Sequence, residues 1–175
     1  MVLPVKIEDA RAQLRVDGLD QDREINDFIR DAAAWVEDYT GHVLEARDVT
    51  EHFSGFRPVL LRAWPVAPDA VPVVSYFGSN GLPVDVTGVR LSVSQRTARV
   101  SSSLGPFWPF IDSQQAFTVT VRAGYENPDD VPRSLCRAML VLIGAYDADR
   151  EGGDTLAKAE NAARTLCRRF KRHTL

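Results

Sequence analysis

The clearest helical pattern in this chain is QDREINDFIRDAAAWVEDYTG, residues 21–41. Its apolar side chains recur every three or four residues, the spacing that places them on one face of an α-helix. Asp22 and Glu24 fall in the first turn, where negative charge suits the helix dipole, and Gly41 suits the position after the last turn. The stretch predicts an amphipathic helix over about 21–40 with an apolar stripe of Ile25, Phe28, Ile29, Ala32, Trp35 or Val36, and Tyr39.

A shorter helical pattern precedes it, over about residues 7–16, with Ile7, Ala10 and Leu14 on one face. The stretch 17–20 then breaks the pattern. We expect Gly18 to take the left-handed conformation that ends the first helix, and Asp20 to cap the second. The chain is therefore predicted to open with a pair of helices.

The pattern changes between about residues 43 and 124, where short β-prone runs are separated by Gly, Pro, Ser and Asn. The last run alternates apolar and polar residues, as in a strand with one solvated face. Ser79-Asn80-Gly81 suits a hairpin turn because Asn and Gly tolerate positive φ. We predict a small antiparallel sheet or barrel with strands at 48–53, 59–63, 71–77, 89–93, 97–101 and 117–123.

Helical periodicity returns after Pro132, with a predicted helix over about 132–149 and a second over about 155–171 that Asp154 is expected to cap. The apolar stripe of the first is Leu135, Ala138, Met139, Leu142, Ile143 and Tyr146. The second has a narrow seam, suited to packing on one other helix. That seam is Leu156, Ala159, Ala163, Leu166 and Phe170.

The predicted fold class is α+β: two N-terminal helices, an inserted small antiparallel β region, and two C-terminal helices that pack as a helical bundle. We divide the chain into an N-terminal helical pair at 1–42 and a β subdomain at 43–125. The C-terminal helices and basic tail, 126–175, are expected to complete the helical core.

Charge is distributed unevenly along the 175 residues, whose formal net charge is −3. Residues 1–60 carry 7 basic and 13 acidic side chains, a net charge of −6, whereas residues 154–175 have a net charge of +4. An acidic overall balance argues against a dedicated nucleic-acid binder. The two ends are suited to contacts with different surfaces or between neighbouring copies, or they are solvated helix faces of opposite sign.

The cysteines and the apolar content indicate a soluble protein made in the cytoplasm. Cys136 and Cys167 form no CxxC pair and are expected to be buried free thiols. The N-terminal apolar run is short and broken by Pro4, unlike a signal peptide. No stretch approaches the roughly 20 apolar residues that cross a bilayer, so no membrane contact is expected.

The sequence has few groups suited to catalysis. His42, His52 and His173 have no metal-ligand spacing, and the HExxH, phosphate-loop and GxSxG motifs are absent. Asp129-Asp130 is the carboxylate pair to consider for glycosidase chemistry, but its negative charge also suits the start of the following helix. We therefore expect no enzyme activity, cofactor or metal site.

Three features suggest contacts with partners. The first C-terminal helix is predicted to end in acidic residues, Asp147, Asp149 and Glu151. Negative charge is unfavourable at a helix C-terminus unless a cation such as Arg150 or a basic partner compensates that charge. The aromatic run at 107–110 either caps the β core or anchors a neighbouring subunit. The cations of residues 168–172 exceed what a helix C-terminus requires, and an acidic protein groove or a phosphate backbone would complement them.

Three segments carry a family resemblance. The first contains Ile7-Glu8-Asp9-Ala10, Leu14-Arg15-Val16-Asp17, Asp22…Ile25…Ile29…Ala32 and Glu37-Asp38-Tyr39-Thr40-Gly41. The second is Val119-Thr120-Val121-Arg122-Ala123-Gly124-Tyr125 with Val131-Pro132, Ala138, Leu142 and Tyr146…Arg150; the third is Trp108-Pro109. In this order and spacing the chain resembles the head–tail connector (adaptor, or head-completion) proteins of tailed bacteriophages. It departs from their shorter, nearly all-helical members by its extended β region.

The resemblance implies a structural virion protein at the head–tail junction. Copies would form a ring, expected to be twelve-fold, that joins the portal protein to the next head-completion (stopper) or tail protein, and DNA would pass through its channel without sequence-specific binding. The implied portal-binding residues are Leu156, Ala163, Arg164, Leu166, Arg168, Arg169, Phe170, Lys171 and Arg172, and the subunit-interface candidates are Phe107, Trp108 and Phe110. The alternative is another phage structural or DNA-contacting module that binds through the basic C-terminal tail.

Overall fold

The chain forms two compact units, one helical and one built of β-strands. A computed structural model describes residues 3–55, 57–103, 115–149 and 151–171. The helical unit combines residues 3–45 with residues 125–171, and the β unit lies within Ala46–Gly124. The predicted α+β fold class is confirmed.

The helical unit contains four α-helices: α1 (Ile7–Leu14), α2 (Asp22–Thr40), α3 (Arg133–Ala148) and α4 (Asp154–Cys167). Two 3₁₀ turns, η1 (Pro128–Asp130) and η2 (Arg168–Phe170), precede α3 and follow α4. Both predicted stripes pack into one core, whose fully buried side chains include Ile25, Val36, Leu135, Met139, Leu142 and Ile143. Among the described helices, none has the length and apolarity that crossing a membrane requires.

The connection between α1 and α2 differs from the prediction. Arg15, not Gly18, adopts the left-handed conformation that ends α1, with φ 59°. The N-cap of α2 is Gln21, so the capping role predicted for Asp20 is wrong. The guanidinium of Arg11 pairs with the carboxylate of Asp22, which fixes the end of α1 against the start of α2. This contact joins residues eleven positions apart, so a local pattern does not reveal it.

The β unit contains two antiparallel sheets, whereas the sequence predicted one sheet or barrel. The four-stranded sheet has the order β1-β7-β3-β4, and the three-stranded sheet has the order β2-β6-β5. The strands are β1 (Arg47–Ser54), β2 (Val59–Leu60), β3 (Val73–Phe77), β4 (Pro83–Asp85), β5 (Val89–Ser94), β6 (Thr97–Ser102) and β7 (Ala116–Ala123). All six predicted strands are present, and β4 was missed because it is a short, fully exposed edge strand that begins with proline.

Two local predictions in the β unit are confirmed. Strand β7 buries alternate residues from Phe117 to Ala123 and directs the intervening side chains toward solvent. Asn80-Gly81 forms the turn between β3 and β4: Gly81 has φ 74°, and the Asn80 side chain accepts a hydrogen bond from the backbone N–H of Leu82 at 3.0 Å. The strand that this turn joins to β3 is the missed strand β4.

Candidate functional site

Helix α4 begins at a cap supplied by Asp149, the residue that follows α3. One carboxylate oxygen of Asp149 accepts a hydrogen bond from the backbone N–H of Gly153 at 2.9 Å, and the other accepts from Leu156 at 3.2 Å. These bonds, led by that from Gly153, lower the pKa of Asp149. The capping role predicted for Asp154 is therefore wrong. Backbone N–H groups at the start of α4 compensate the negative charge of Asp149. The charge of Asp149 therefore does not indicate a partner interface.

Glycines shape the turn that holds this cap. Gly152 has φ 82°, a conformation that other residues adopt only with strain. A Cβ atom on Gly153 would lie 3.0 Å from Oδ2 of Asp149, tighter than most Cβ contacts, so the carboxylate would have to shift. The pair therefore lets the Asp149 carboxylate approach the backbone of α4.

The inward face of α4 packs on the core of the helical unit. Ala163 and Cys167 are fully buried, whereas Leu156 and Leu166 are half-buried. Cys167 thus occupies the inner position that the predicted seam gave to Leu166, and burial raises the pKa of its thiol to about 11. The apolar seam of α4 therefore packs against α3 and α2 of the same chain.

After α4, η2 places Phe170 against the buried imidazole of His42. The two rings meet edge-on, with centroids 5.5 Å apart. Nδ1 of His42 lies 2.9 Å from the hydroxyl of Tyr125, and its backbone N–H donates to Oγ1 of Thr40 at 3.0 Å. His42 is therefore a hydrogen-bonded core residue that joins three distant segments of the helical unit. Sequence reasoning missed this cluster.

The outward face of α4 and η2 is cationic. Arg164, Arg168 and Lys171 are exposed and follow one another at helical spacing, and Arg169 is exposed beside them. Arg164 forms an ion pair with Glu160 at 2.9 Å within α4. A nitrogen of the Arg169 guanidinium donates to Oγ of Ser134 at 3.0 Å, and Nζ of Lys171 lies 4.9 Å from the centre of the Tyr39 ring. Contacts with Ser134 and Tyr39 thus hold two of these cations in place.

The remaining residues predicted for a site lie outside the outer face of α4 and η2 or outside the described part of the chain. Phe107, Trp108, Phe110, Arg172 and His173 are outside the described residues. His52 is exposed on β1. Within the parts of the chain that the structure describes, no three His, Cys, Asp or Glu side chains are placed to hold a metal ion.

The motif Glu37–Gly41 has a structural role at the end of α2. The backbone N–H of Leu44 donates to Oε1 of Glu37 at 2.7 Å, and that of Gly41 donates to the Glu37 carbonyl at 2.8 Å. Oγ1 of Thr40 donates to the Val36 carbonyl at 2.6 Å. These bonds end the helix and turn the chain back, so the motif specifies a chain reversal.

Residues 4–62 match the family described as "Phage gp6-like head-tail connector protein". The resemblance to the head–tail connector family is confirmed. The match covers α1, α2, β1 and β2, and thus the first of the three segments that carried the resemblance. No curated protein has a sequence that matches this chain significantly.

Solved structures extend the likeness to nearly the whole chain. A chain of the "Virion of native gene transfer agent (GTA) particle" is 21% identical with a TM-score of 0.78, covering 100% of this chain and 94% of its own length. A chain of the "Neck of empty GTA particle computed with C6 symmetry" is 19% identical with a TM-score of 0.76, covering 98% and 91%. A third, from the "Neck of native GTA particle computed with C12 symmetry", is 21% identical with a TM-score of 0.76, covering 97% and 89%. At these identities the likeness shows the fold.

Proposed function

We propose that this chain is a structural head–tail connector subunit of a tailed phage or phage-like particle. Copies form a ring that joins the portal to the next head-completion or tail protein and leaves a channel for DNA. The observation that carries the proposal is the connector-family match at residues 4–62, within a fold shared over 97–100% of the chain with proteins of a particle neck and virion. The protein acts at the head–tail junction by assembly, without turnover or a cofactor.

Ring closure requires two different patches on each subunit, because a head-to-tail contact joins unlike surfaces. The chain carries unlike surfaces: a net charge of −6 over residues 1–60, and the cationic outer face of α4 and η2. The solved necks described with C6 and C12 symmetry support a ring, and we propose that this chain forms twelve-fold rings. The aromatic residues Phe107, Trp108 and Phe110 are the proposed anchors between neighbouring subunits.

The portal-binding surface is proposed to be the outer face of α4 and η2. Its exposed cations, Arg164, Arg168, Arg169 and Lys171, are complementary to acidic portal groups, and Arg172 extends the series along the sequence. Leu156 and Leu166 contribute their half-exposed surfaces. Ala163 and Phe170 are buried in the helical unit, so they position this surface from beneath.

The proposal is tested by mixing the chain with the portal protein of its own particle. Size-exclusion chromatography should show co-migration, and negative-stain images should show a second ring on the portal. The triple variant Arg164→Ser, Arg168→Ser, Lys171→Ser should remain folded and lose attachment. The matched control Arg23→Ser, Arg133→Ser, Arg137→Ser removes the same charge from exposed positions elsewhere in the helical unit and should retain it.

The result that overturns the proposal is a wild-type chain that neither co-migrates with the portal nor forms rings on it. The second candidate function, a DNA-contacting module, is favoured by the same exposed cations on the outer face of α4 and η2. It predicts DNA affinity that falls steeply with salt and that the Arg164, Arg168, Lys171 variant loses.

A further inference from the structure

The three-stranded sheet of the β unit has one inward and one outward face. Its strand register aligns Val59, Val100 and Leu91 across β2, β6 and β5, with Val59 and Val100 buried. The next row across the sheet therefore points outward. It aligns Leu60, Arg99 and Ser92, and all three are exposed.

This outward face, which we call the arginine face, consists of Leu60, Arg90, Ser92, Ser94, Thr97 and Arg99. Arg90 lies opposite Ser101 and is therefore the diagonal neighbour of Arg99 on the adjacent strand, at roughly 7–8 Å in antiparallel sheets. Arg96, in the turn between β5 and β6, adds another cation at one end. Residues 86–103 contain no Asp or Glu, although the whole chain has a net charge of −3.

The side chains of this face fit a phosphate ligand better than a protein surface. Arginine, serine and threonine are the residue types that contact DNA phosphates, through guanidinium and hydroxyl donors. Protein interfaces take much of their binding energy from buried Trp, Tyr and Arg anchors; this face supplies arginines but no aromatic residue, because residues 86–103 contain no Phe, Tyr or Trp. Leu60 is the single large apolar side chain of the arginine face, 40% exposed at its margin.

We propose that the arginine face binds the phosphate backbone of double-stranded DNA without reading its sequence. This inference rests on the proposed function, in which DNA passes every copy in the ring. Each copy supplies two guanidinium groups from the strands, so one copy binds weakly, and repetition around the ring multiplies the contacts on one duplex. Weak binding by each copy permits the DNA to move past.

The test measures binding of the full-length chain to a fluorescein-labelled duplex of about 30 base pairs between 50 and 200 mM NaCl, by fluorescence anisotropy. Two phosphate contacts contribute about 1.8 to the slope of log affinity against log salt. The variant Arg90→Ser, Arg99→Ser should therefore have a slope lower by about 2, so that raising NaCl from 50 to 200 mM lowers its affinity by a factor roughly tenfold smaller than for the wild type. The control Arg23→Ser, Arg137→Ser changes the net charge equally and should bind as the wild type does.

Circular dichroism melting of each variant separates lost binding from lost folding. The inference is overturned if the Arg90, Arg99 variant remains folded and binds the duplex like the wild type, or if the control loses as much. It is also overturned if the Arg90, Arg99 variant loses binding to a labelled polyglutamate peptide but not to the duplex, which would assign the face to an acidic protein.

The portal-mixing experiment, repeated with these variants, distinguishes the inference from the proposed function. If the chain forms rings on the portal but the Arg90, Arg99 variant binds the duplex as the wild type does, the DNA-binding inference for the arginine face is rejected and the connector proposal stands. A wild-type chain that forms no ring would reject the connector proposal, whatever the duplex measurement shows.

Discussion

The ring of Phe170 meets the imidazole of His42 edge-on, with planes inclined at 83° and centroids 5.5 Å apart. Phe170 is 8% exposed although it follows the last α-helix, and His42 follows the turn that ends α2. The contact joins the segment after α4 to the segment after α2 within the helical unit. The basic surface of α4 and η2 is thus anchored by an aromatic core residue.

Replacing Phe170 with alanine should destabilise the helical unit by roughly 3 kcal/mol, since it removes a buried ring and leaves His42 without that neighbour. Urea denaturation followed by circular dichroism measures the loss. The control is Phe77→Ala, which removes the same ring from a 65% exposed position and should change stability by less than about 0.5 kcal/mol. Equal effects of the two substitutions would contradict the anchoring role.

The Asp149 cap makes stability depend on pH in a defined direction. Because hydrogen bonds from the backbone of α4 lower the pKa of Asp149 below its ordinary value of 3.8, the cap stabilises the fold above that pH. The contribution is lost as the pH falls through the lowered value in the folded state. Asp149→Asn should lower the melting temperature at pH 7 and reduce its decline below about pH 4.

Thermal melts of Asp149→Asn between pH 2.5 and 7 test this prediction. Asp154→Asn is the matched control, because Asp154 lies in the first turn of the same helix but makes no side-chain capping bond. It should leave the acid decline close to that of the wild type. A steeper acid decline for Asp149→Asn would show that the cap has been assigned the wrong sign.

The two thiols should differ in reactivity. Burial raises the pKa of both, and that of the fully buried Cys167 reaches about 11, whereas Cys136 is half-buried. At pH 8 the thiolate fraction of Cys167 is about a hundredfold lower than that of a thiol with a pKa of 9. In native protein a disulfide reagent should therefore modify Cys136 slowly and Cys167 hardly at all, and Cys136→Ala should abolish most of the native reaction. In urea both thiols should react, and fast native labelling of the Cys136→Ala protein would disprove the burial of Cys167.

The chain reversal after α2 depends on Glu37, whose carboxylate accepts a hydrogen bond from the backbone of the buried residue Leu44. Glu37→Ala leaves that N–H without its acceptor and should cost about 1–3 kcal/mol in urea denaturation. Glu37→Gln keeps an oxygen acceptor and should cost less. If the two substitutions are equally destabilising, the loss reflects charge and not the hydrogen bond to Leu44.

The sequence predicted elements whose pattern is local. Helix α2 and strand β7 were found because the burial of their side chains follows one period along the chain. Strand β4 has no such pattern, since all three of its residues are exposed. Cys167 is buried where Leu166 was predicted, because Leu166 and Cys167 are adjacent on α4 and the apolar pattern does not decide which one faces the core.

The contacts that build the candidate site are mostly between distant residues. His42 and Tyr125 are 83 positions apart, and periodicity carries no information about such pairs. The Asp149 cap crosses a turn, so the sequence indicated an uncompensated charge where the fold provides backbone donors. The cations of 164–172 were evident from the sequence, whereas the burial of Phe170 against His42 required the structure.

The helical unit is assembled from two segments that the β unit separates in the chain. During synthesis, α1 and α2 leave the ribosome well before α3, α4 and Phe170, which cover much of their apolar face. The β unit is continuous in sequence and can fold while the rest is being made. The helical core, and with it the proposed portal-binding surface, can therefore form only after Phe170 has been synthesised, so a nascent chain that has not reached this residue has no formed surface with which to join a particle.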